Sequence, residues 1–237
     1  MMQRVTVFVV VEGHSESGFL RPLLASHLGG LGIDLHVPIV GRASAKGGMK
    51  YRHFSQLCAE MRDYLQDRRQ PFVTTFFDYY GLPLEAHFGW DFVTDAKRRG
   101  GVEAIERALA AGVASAVDDR QLARFIPYVQ LHEFEALYFA EPAVLAAVLE
   151  APDQAEKVAE IVVACGVCES INDSPATAPS KRIQRLFPHY IKGRSATAHA
   201  PRLGTKLALA RIRAACPRFH RWVCRLEELA PTRTEVP

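Results

Sequence analysis

Residues 5–20, VTVFVVVEGHSESGFL, decide how the rest of the chain is read. From 5 to 11 they form an unbroken apolar run of strand-forming residues, the pattern of a strand buried on both faces in a parallel sheet. The run stops at Glu12-Gly13, and a second acid, Glu16, follows in the next turn. Phe19, Leu20, Leu23, Leu24 and Leu28 then recur at helical spacing, with Ser15 as the expected N-cap and Gly29-Gly30 and Gly32 as the stop. A buried strand that ends on a carboxylate, with another acid close behind, is the feature that needs explaining.

Working outward, residues 35–40 read as a second strand, and the loop 41–50, GRASAKGGMK, is basic and glycine-rich. Phe54, Leu57, Met61 and Leu65 set a second helix beginning near Tyr51. Residues 72–77, FVTTFF, are a third strand that ends on Asp78, followed by the turn Gly81-Leu82-Pro83. After an irregular stretch containing Asp91, a helix is expected over 97–117, carrying Ile105 and Leu109. A fourth strand over 125–131 runs into His132-Glu133-Phe134-Glu135. Beyond it the pattern is helical over 134–139, 142–149, 152–164, 180–187, 204–215 and 217–229, interrupted by the linker 172–179, NDSPATAP. Strands alternating with helices predict an α/β chain whose mostly parallel central sheet of about four strands is flanked by helices. Residues 1–140 are expected to form that core, and 141–237 a helical C-terminal extension packed on it.

Composition sets the outer limits. The chain has 237 residues, 49% of them apolar, and a net charge of +3, which suits a sizeable core and gives no polybasic tail. No apolar run approaches the roughly 18 residues of a spanning helix, so no membrane association is expected. The apolar start lacks a small-residue cleavage site and runs directly into a helix pattern, which argues against a signal peptide. Five cysteines without framework spacing suit a reducing, cytoplasmic setting. Cys165 and Cys168 have the spacing of half a zinc site, but no second such pair follows, and two small residues closing a helix explain them as well.

The chemistry is concentrated at the strand ends. Ligands of an open parallel sheet sit beyond the carboxyl ends of its strands, and three of the four expected strands end in acids: Glu12, Asp78, and Glu133/Glu135 beside His132. One such acid caps a helix N-terminus easily. Several at one edge crowd negative charge and call for a hard divalent cation with oxygen ligands, Mg²⁺ or Mn²⁺. The expected metal ligands are Glu12, Glu16, Asp78, Glu133 and Glu135. In a helix His132 and Glu135 would share a face and Glu133 would point elsewhere, although where that helix starts is open.

Phosphate chemistry also needs cations. Lys46, in the loop 41–50 with Ser44 and Gly48, lacks the Walker spacing; it is either an anion contact or part of a solvated loop. Lys181 and Arg182, in the first turn of an expected helix capped by Ser180, run against the helix dipole unless they meet an acid or a phosphate. Lys192 and Arg194 extend this basic stretch, and Lys206, Arg211, Arg213, Arg218, Arg221 and Arg225 continue it around Trp222. Such a face is either solvated or able to track a nucleic-acid backbone. Tyr79 and Tyr80 follow Asp78 directly, where a ring either packs at the strand end or meets a base or phosphate.

Glu12-Gly13 and Glu16 after the first strand, with an acid ending the third, resemble the Toprim fold of topoisomerases, primases and nucleases of the OLD (overcoming lysogenization defect) type. More closely, the stretches VVEGHSE, TTFFDYYGLP, VQLHEFEALYF, APSKRI (178–183) and CPRFHRWVCRLE resemble an uncharacterised bacterial family of unknown function in the Toprim-like group. The resemblance implies a metal-dependent nuclease acting on nucleic-acid phosphodiesters, with a companion ATPase and a role in defence against mobile DNA. It makes Glu12 a metal ligand or general acid/base, and Asp78 the first acid of an Asp-x-Asp motif. Lys181 is the expected catalytic cation, with Lys46 and Arg182 on phosphate. The second acidic position of that motif is Tyr80 here; either Glu133, Glu135 or Asp91 supplies the missing acid, or the chain is a non-catalytic partner or sensor subunit.

Overall fold

The computed structural model describes residues 4–41, 53–82, 89–99, 101–172, 175–192 and 195–231. In chain order its elements are β1 (Val5–Val11), α1 (His14–Gly30), β2 (Ile33–His36), α2 (Phe54–Leu65), β3 (Phe72–Asp78), α3 (Asp91–Arg99) and α4 (Gly101–Ala114). There follow α5 (Asp119–Leu122), β4 (Phe125–Ile126), β5 (Val129–Gln130) and a 3₁₀ helix (Phe134–Ala140). The C-terminal part holds α6 (Pro142–Val148), α7 (Ala155–Cys165), α8 (Pro179–Leu186), α9 (Ser195–Lys206), α10 (Leu209–Ala215) and α11 (Pro217–Glu227).

The five strands form one sheet in the order β2-β1-β3-β4, with β5 also on β3, and every pairing is parallel. The apolar run of β1 is divided by the two-residue period of a strand. Val7, Val9 and Val11 enter a core with α1 and the C-terminal helices, while Phe8 and Val10 enter one with α2 and α4. Both faces are therefore covered, as a parallel sheet requires. Residues of the C-terminal helices, Leu203, Ile212, Trp222 and Leu226 among them, share the first of these cores with β1 and α1.

Several elements differ from the sequence pattern, each for a local reason. The second strand begins earlier, at Ile33, and ends before Pro38, which has no N–H to donate; the chain stays beside β1 through an isolated bridge from Ile39 to Val11. Gly13, in an extended conformation, is the N-cap of α1, so Ser15 lies inside the first turn. The helix expected over 97–117 is two helices divided at Gly101, whose φ of +66° is left-handed, and Asp91 opens the first of them. The helix expected over 204–215 is likewise two, α9 and α10.

The fourth strand is broken at Pro127 into β4 and β5. Thr75 takes over across the break: its hydroxyl donates to the Tyr128 carbonyl (2.8 Å) and accepts from the Tyr128 N–H (2.9 Å). On the outer side of β5, Glu106 of α4 accepts from the Val129 N–H (2.8 Å) and Arg218 of α11 donates to the Val129 carbonyl (3.1 Å). Arg218 also pairs with Glu103 and Glu106. Trp222 is buried, stacks on Tyr128 and donates its indole N–H to Thr74 (3.0 Å), while Arg213 pairs with Glu227. The aromatic of the expected nucleic-acid face thus belongs to the core, and two of its arginines are held by acids. All five cysteines are free, and among the described residues no helix is long and apolar enough to cross a membrane.

Candidate functional site

The carboxyl edge of the sheet gathers the expected acids. Glu12 directly follows β1, Asp78 ends β3, and Glu133 and Glu135 follow β5; the four are 6%, 6%, 7% and 0% exposed. Glu16 joins them, half-buried, from the first turn of α1. Three of them are anchored by backbone N–H groups. Glu12 accepts from the Asp78 N–H (2.8 Å), Asp78 from the Phe134 N–H (2.8 Å), and Glu133 from the Ser180 N–H at the start of α8 (2.8 Å). Helix capping and an acidic centre, posed by the sequence as alternatives, coexist here: the bonds that hold the chain ends also bring the carboxylates together. Gly81 is part of this arrangement, since a Cβ there would lie 2.3 Å from Glu12 Oε2.

The HEFE segment is not helical from its start. His132 has a φ of +61°, Glu133 is extended, and the 3₁₀ helix begins only at Phe134. Glu133 and Glu135, two apart, therefore meet the same partner, whereas helical spacing would have paired His132 with Glu135. That partner is Lys192, whose ammonium lies 2.7 Å from Glu133 Oε1 and 3.7 Å from Glu135 Oε2. In the sequence Lys192 is only part of a basic stretch, because no motif links it to acids nearly sixty residues away. Tyr190 donates its hydroxyl to Glu135 Oε1 (3.2 Å). Tyr138 is fully buried, and its hydroxyl makes no hydrogen bond among the described residues although Glu135, Glu16 and Asp78 all act on it.

The electrostatics follow from this crowding. Burial pushes Asp78 well above the usual carboxylate range; Lys192 opposes the shift, and Glu135, Glu12 and Glu16 add to it. Glu135 is raised to about 7 by burial, again against Lys192 and with Glu133 and Glu16. Burial likewise raises Glu16, less its own helix-terminal backbone bonds and the pull of Lys192. Glu133 goes the other way: burial is outweighed by Lys192 and by the Ser180 N–H, which hold it below the ordinary value. For Lys192 burial favours the neutral amine, but Glu135, Asp78 and Glu133 keep it charged far above the lysine range.

The donor set is all carboxylate and phenol oxygen, the chemistry of a hard divalent ion. Glu135 Oε2 and the Tyr138 hydroxyl are buried without hydrogen-bond partners, which leaves acceptor capacity pointing inward. Among the described residues, however, no three His, Cys, Asp or Glu side chains stand as a ready-made metal cage. In this arrangement the ammonium of Lys192 supplies the positive charge.

The expected phosphate cations are placed differently. Lys181 is exposed and donates to Gln184 of its own helix (3.3 Å), and Arg182 holds the Thr177 carbonyl (2.9 Å). Lys46, with Ser44 and Gly48, and Arg194 lie outside the described residues. Tyr80 is half-buried, its phenol oxygen accepting from Asn172.

A family model described as a domain of unknown function, DUF4276, matches residues 11–227. The chain belongs to the DUF4276 family. That match takes in all five acids, Lys192, and the helices that carry Tyr138's neighbours and Ser180. No curated protein and no solved structure matches this DUF4276 chain.

Proposed function

We propose that the chain is a Toprim-like, Mg²⁺- or Mn²⁺-dependent protein that cleaves nucleic-acid phosphodiesters. The observation that carries this reading is the meeting of Glu12, Glu16, Asp78, Glu133 and Glu135 at one buried edge, with Lys192 as the cation bonded to them. Carboxyls that burial and mutual repulsion drive toward the protonated form are relieved by a divalent ion, which releases their protons and takes their charge. Glu12, Asp78, Glu135 and Glu16 would hold that ion. When bound, it supplies Lewis-acid stabilisation of a phosphoryl oxygen and activates water. The chain's own contribution is the dry, backbone-anchored placement of the acids and the ammonium of Lys192 beside them. Lys181, exposed in the first turn of α8, would offset phosphate charge arriving from solvent. A companion ATPase and a role in defence against mobile DNA follow from the Toprim resemblance as part of the same proposal.

The test is cleavage of plasmid DNA and of RNA with Mg²⁺ or Mn²⁺, comparing wild type with Glu12→Gln and Asp78→Asn. Both substitutions keep an oxygen for the backbone bonds that hold the site. Metal-dependent cleavage lost in both variants, together with loss of an Mn²⁺-induced thermal shift, is expected. Cleavage equal in all three proteins would overturn the assignment. A thermal shift without cleavage, together with binding to an ATPase, would favour the non-catalytic partner reading that Tyr80, in place of a second acid, keeps alive.

A further inference from the structure

Beside the acids stands a group of rings that they do not use. Tyr79 and Tyr80 follow Asp78, and His132 precedes Glu133, so both arms of the group spring from the strand ends that carry the site. The Tyr80 and His132 ring centres are 5.5 Å apart at 42°, Tyr79 and Tyr80 5.8 Å at 60°, and Tyr79 and His132 6.4 Å at 80°. All three side chains are half-buried. They are also held in place. The Tyr80 N–H donates to the His132 carbonyl (3.1 Å), and the phenol end of Tyr80 is tied to Asn172.

His132 reaches its position through a left-handed backbone, φ +61°, which a residue with a Cβ adopts at a cost. Strain of this kind persists where the surroundings impose it and gathers at sites of function. Here it turns an imidazole against Tyr80 at the moment the chain enters the acidic centre. The His132 Nδ1, and the Oδ1 of the Asn172 amide whose Nδ2 holds Tyr80, are both buried with no hydrogen-bond partner among the described residues, so polar capacity is left unmet on both sides of the Tyr80 ring.

We infer that Tyr80 and His132 form a stacking seat for an unpaired nucleobase, positioned to deliver the adjoining phosphate to the acidic centre. The inference rests on the phosphodiester reading above and adds a substrate class to it. The rings are tilted rather than stacked on one another, so a base adds to the outer face of the pair; their separation is too short for a base to enter between them. Base pairs inside a duplex have no free face to offer, whereas every unpaired base has one. Tyr80 lies two residues from Asp78, and His132 is adjacent to Glu133. At about 3.8 Å between successive Cα atoms, the seat and the acids are within the reach of one nucleotide. The ligand is thus a single-stranded segment or a free nucleotide, and not an intact duplex.

The experiment is fluorescence anisotropy in EDTA, so that its outcome does not depend on metal. A labelled single strand, the same strand annealed to its complement, and a free nucleoside monophosphate as competitor are compared. The variants are Tyr80→Ala, Tyr80→Phe and His132→Gly. His132→Gly removes the ring where glycine suits the backbone, so its melting temperature should equal or exceed that of wild type and binding loss cannot be assigned to unfolding. Expected are preference for the single strand over the duplex and about tenfold weaker binding for Tyr80→Ala and His132→Gly, the scale of one lost stack. Tyr80→Phe should bind as wild type. Competition by the mononucleotide at concentrations matching the strand would assign the seat to free nucleotides, and weak competition would assign it to strands. Equal binding of duplex and single strand, unchanged binding in both ring-deleted variants, or no binding by wild type would overturn the inference. An Mn²⁺-induced thermal shift that survives such a failure leaves the acidic centre standing by itself.

Discussion

Glu135→Gln separates the charge of the acidic centre from its shape. The glutamine keeps an oxygen to accept from Tyr190 but cannot ionise. In the folded chain Glu135 sits at about 7, against an ordinary value of 4.5, because it is fully buried and faces Glu133 and Glu16. An acid whose folded value lies above its unfolded one stabilises the fold fully below pH 4.5. That stabilisation is lost as pH rises through about 7, because the unfolded chain releases the proton first. At about 1.4 kcal/mol for each tenfold change, ionising Glu135 in the fold costs about 3 kcal/mol. Urea unfolding of wild type and variant from pH 5 to pH 8 measures this directly. The two should be of similar stability at pH 5, and the variant should be more stable by up to about 3 kcal/mol at pH 8. Parallel profiles across that range would refute the crowding argument, since they would mean that Glu135 ionises in the fold as easily as outside it.

Two other substitutions probe the same site from its edges. Lys192→Met removes the ammonium from Glu133 and Glu135; breaking a buried pair costs about 3–5 kcal/mol, but the Lys192 side chain is 43% exposed, which lowers the expected loss to about 1–2 kcal/mol. Melting curves should show that loss growing from pH 5 to pH 8 and shrinking again when Mn²⁺ is added; no change with either would mean that Lys192 is not the counter-ion of the centre. Gly81→Ala places a Cβ on Glu12 and should cost about 2 kcal/mol by displacing its bond to Asp78. In a Glu12→Ala background that cost should vanish, and a cost unchanged there would show that the contact is not its cause.

The fold was legible wherever the chain signalled its period. β1 and β3 are continuous apolar runs ending on acids, and both stand as expected, as do α1 and α11 with their helical spacing. The pattern failed where one residue overrides its neighbours. Pro38 cuts a strand by withholding a donor, the Thr75 hydroxyl takes over both backbone groups of Tyr128 next to Pro127, and Gly101 turned a single periodic stretch into two helices. The acids of the site were legible because a strand end is a place that sequence can locate. Their common partner Lys192, the Tyr190 hydroxyl and the Tyr138 hydroxyl were not, since tertiary packing alone brings α8, the segment after it and the 3₁₀ helix to that edge. The direction of HEFE escaped for a smaller reason: the left-handed turn at His132 carries no glycine or asparagine to announce it.

The outer rim of the sheet at β5 has a consequence for how this chain meets other proteins. The N–H and carbonyl of Val129 are the groups that an incoming chain would use to extend the sheet, and Glu106 and Arg218 already occupy both. The pair, one acceptor and one donor bonded to each other, imitates the backbone of a neighbouring residue. Together with the two-residue length of β4 and the proline beside it, this seals that margin against edge-to-edge polymerisation. A partner that docks by lending a strand would have to break two charge-assisted bonds at β5 before making its first.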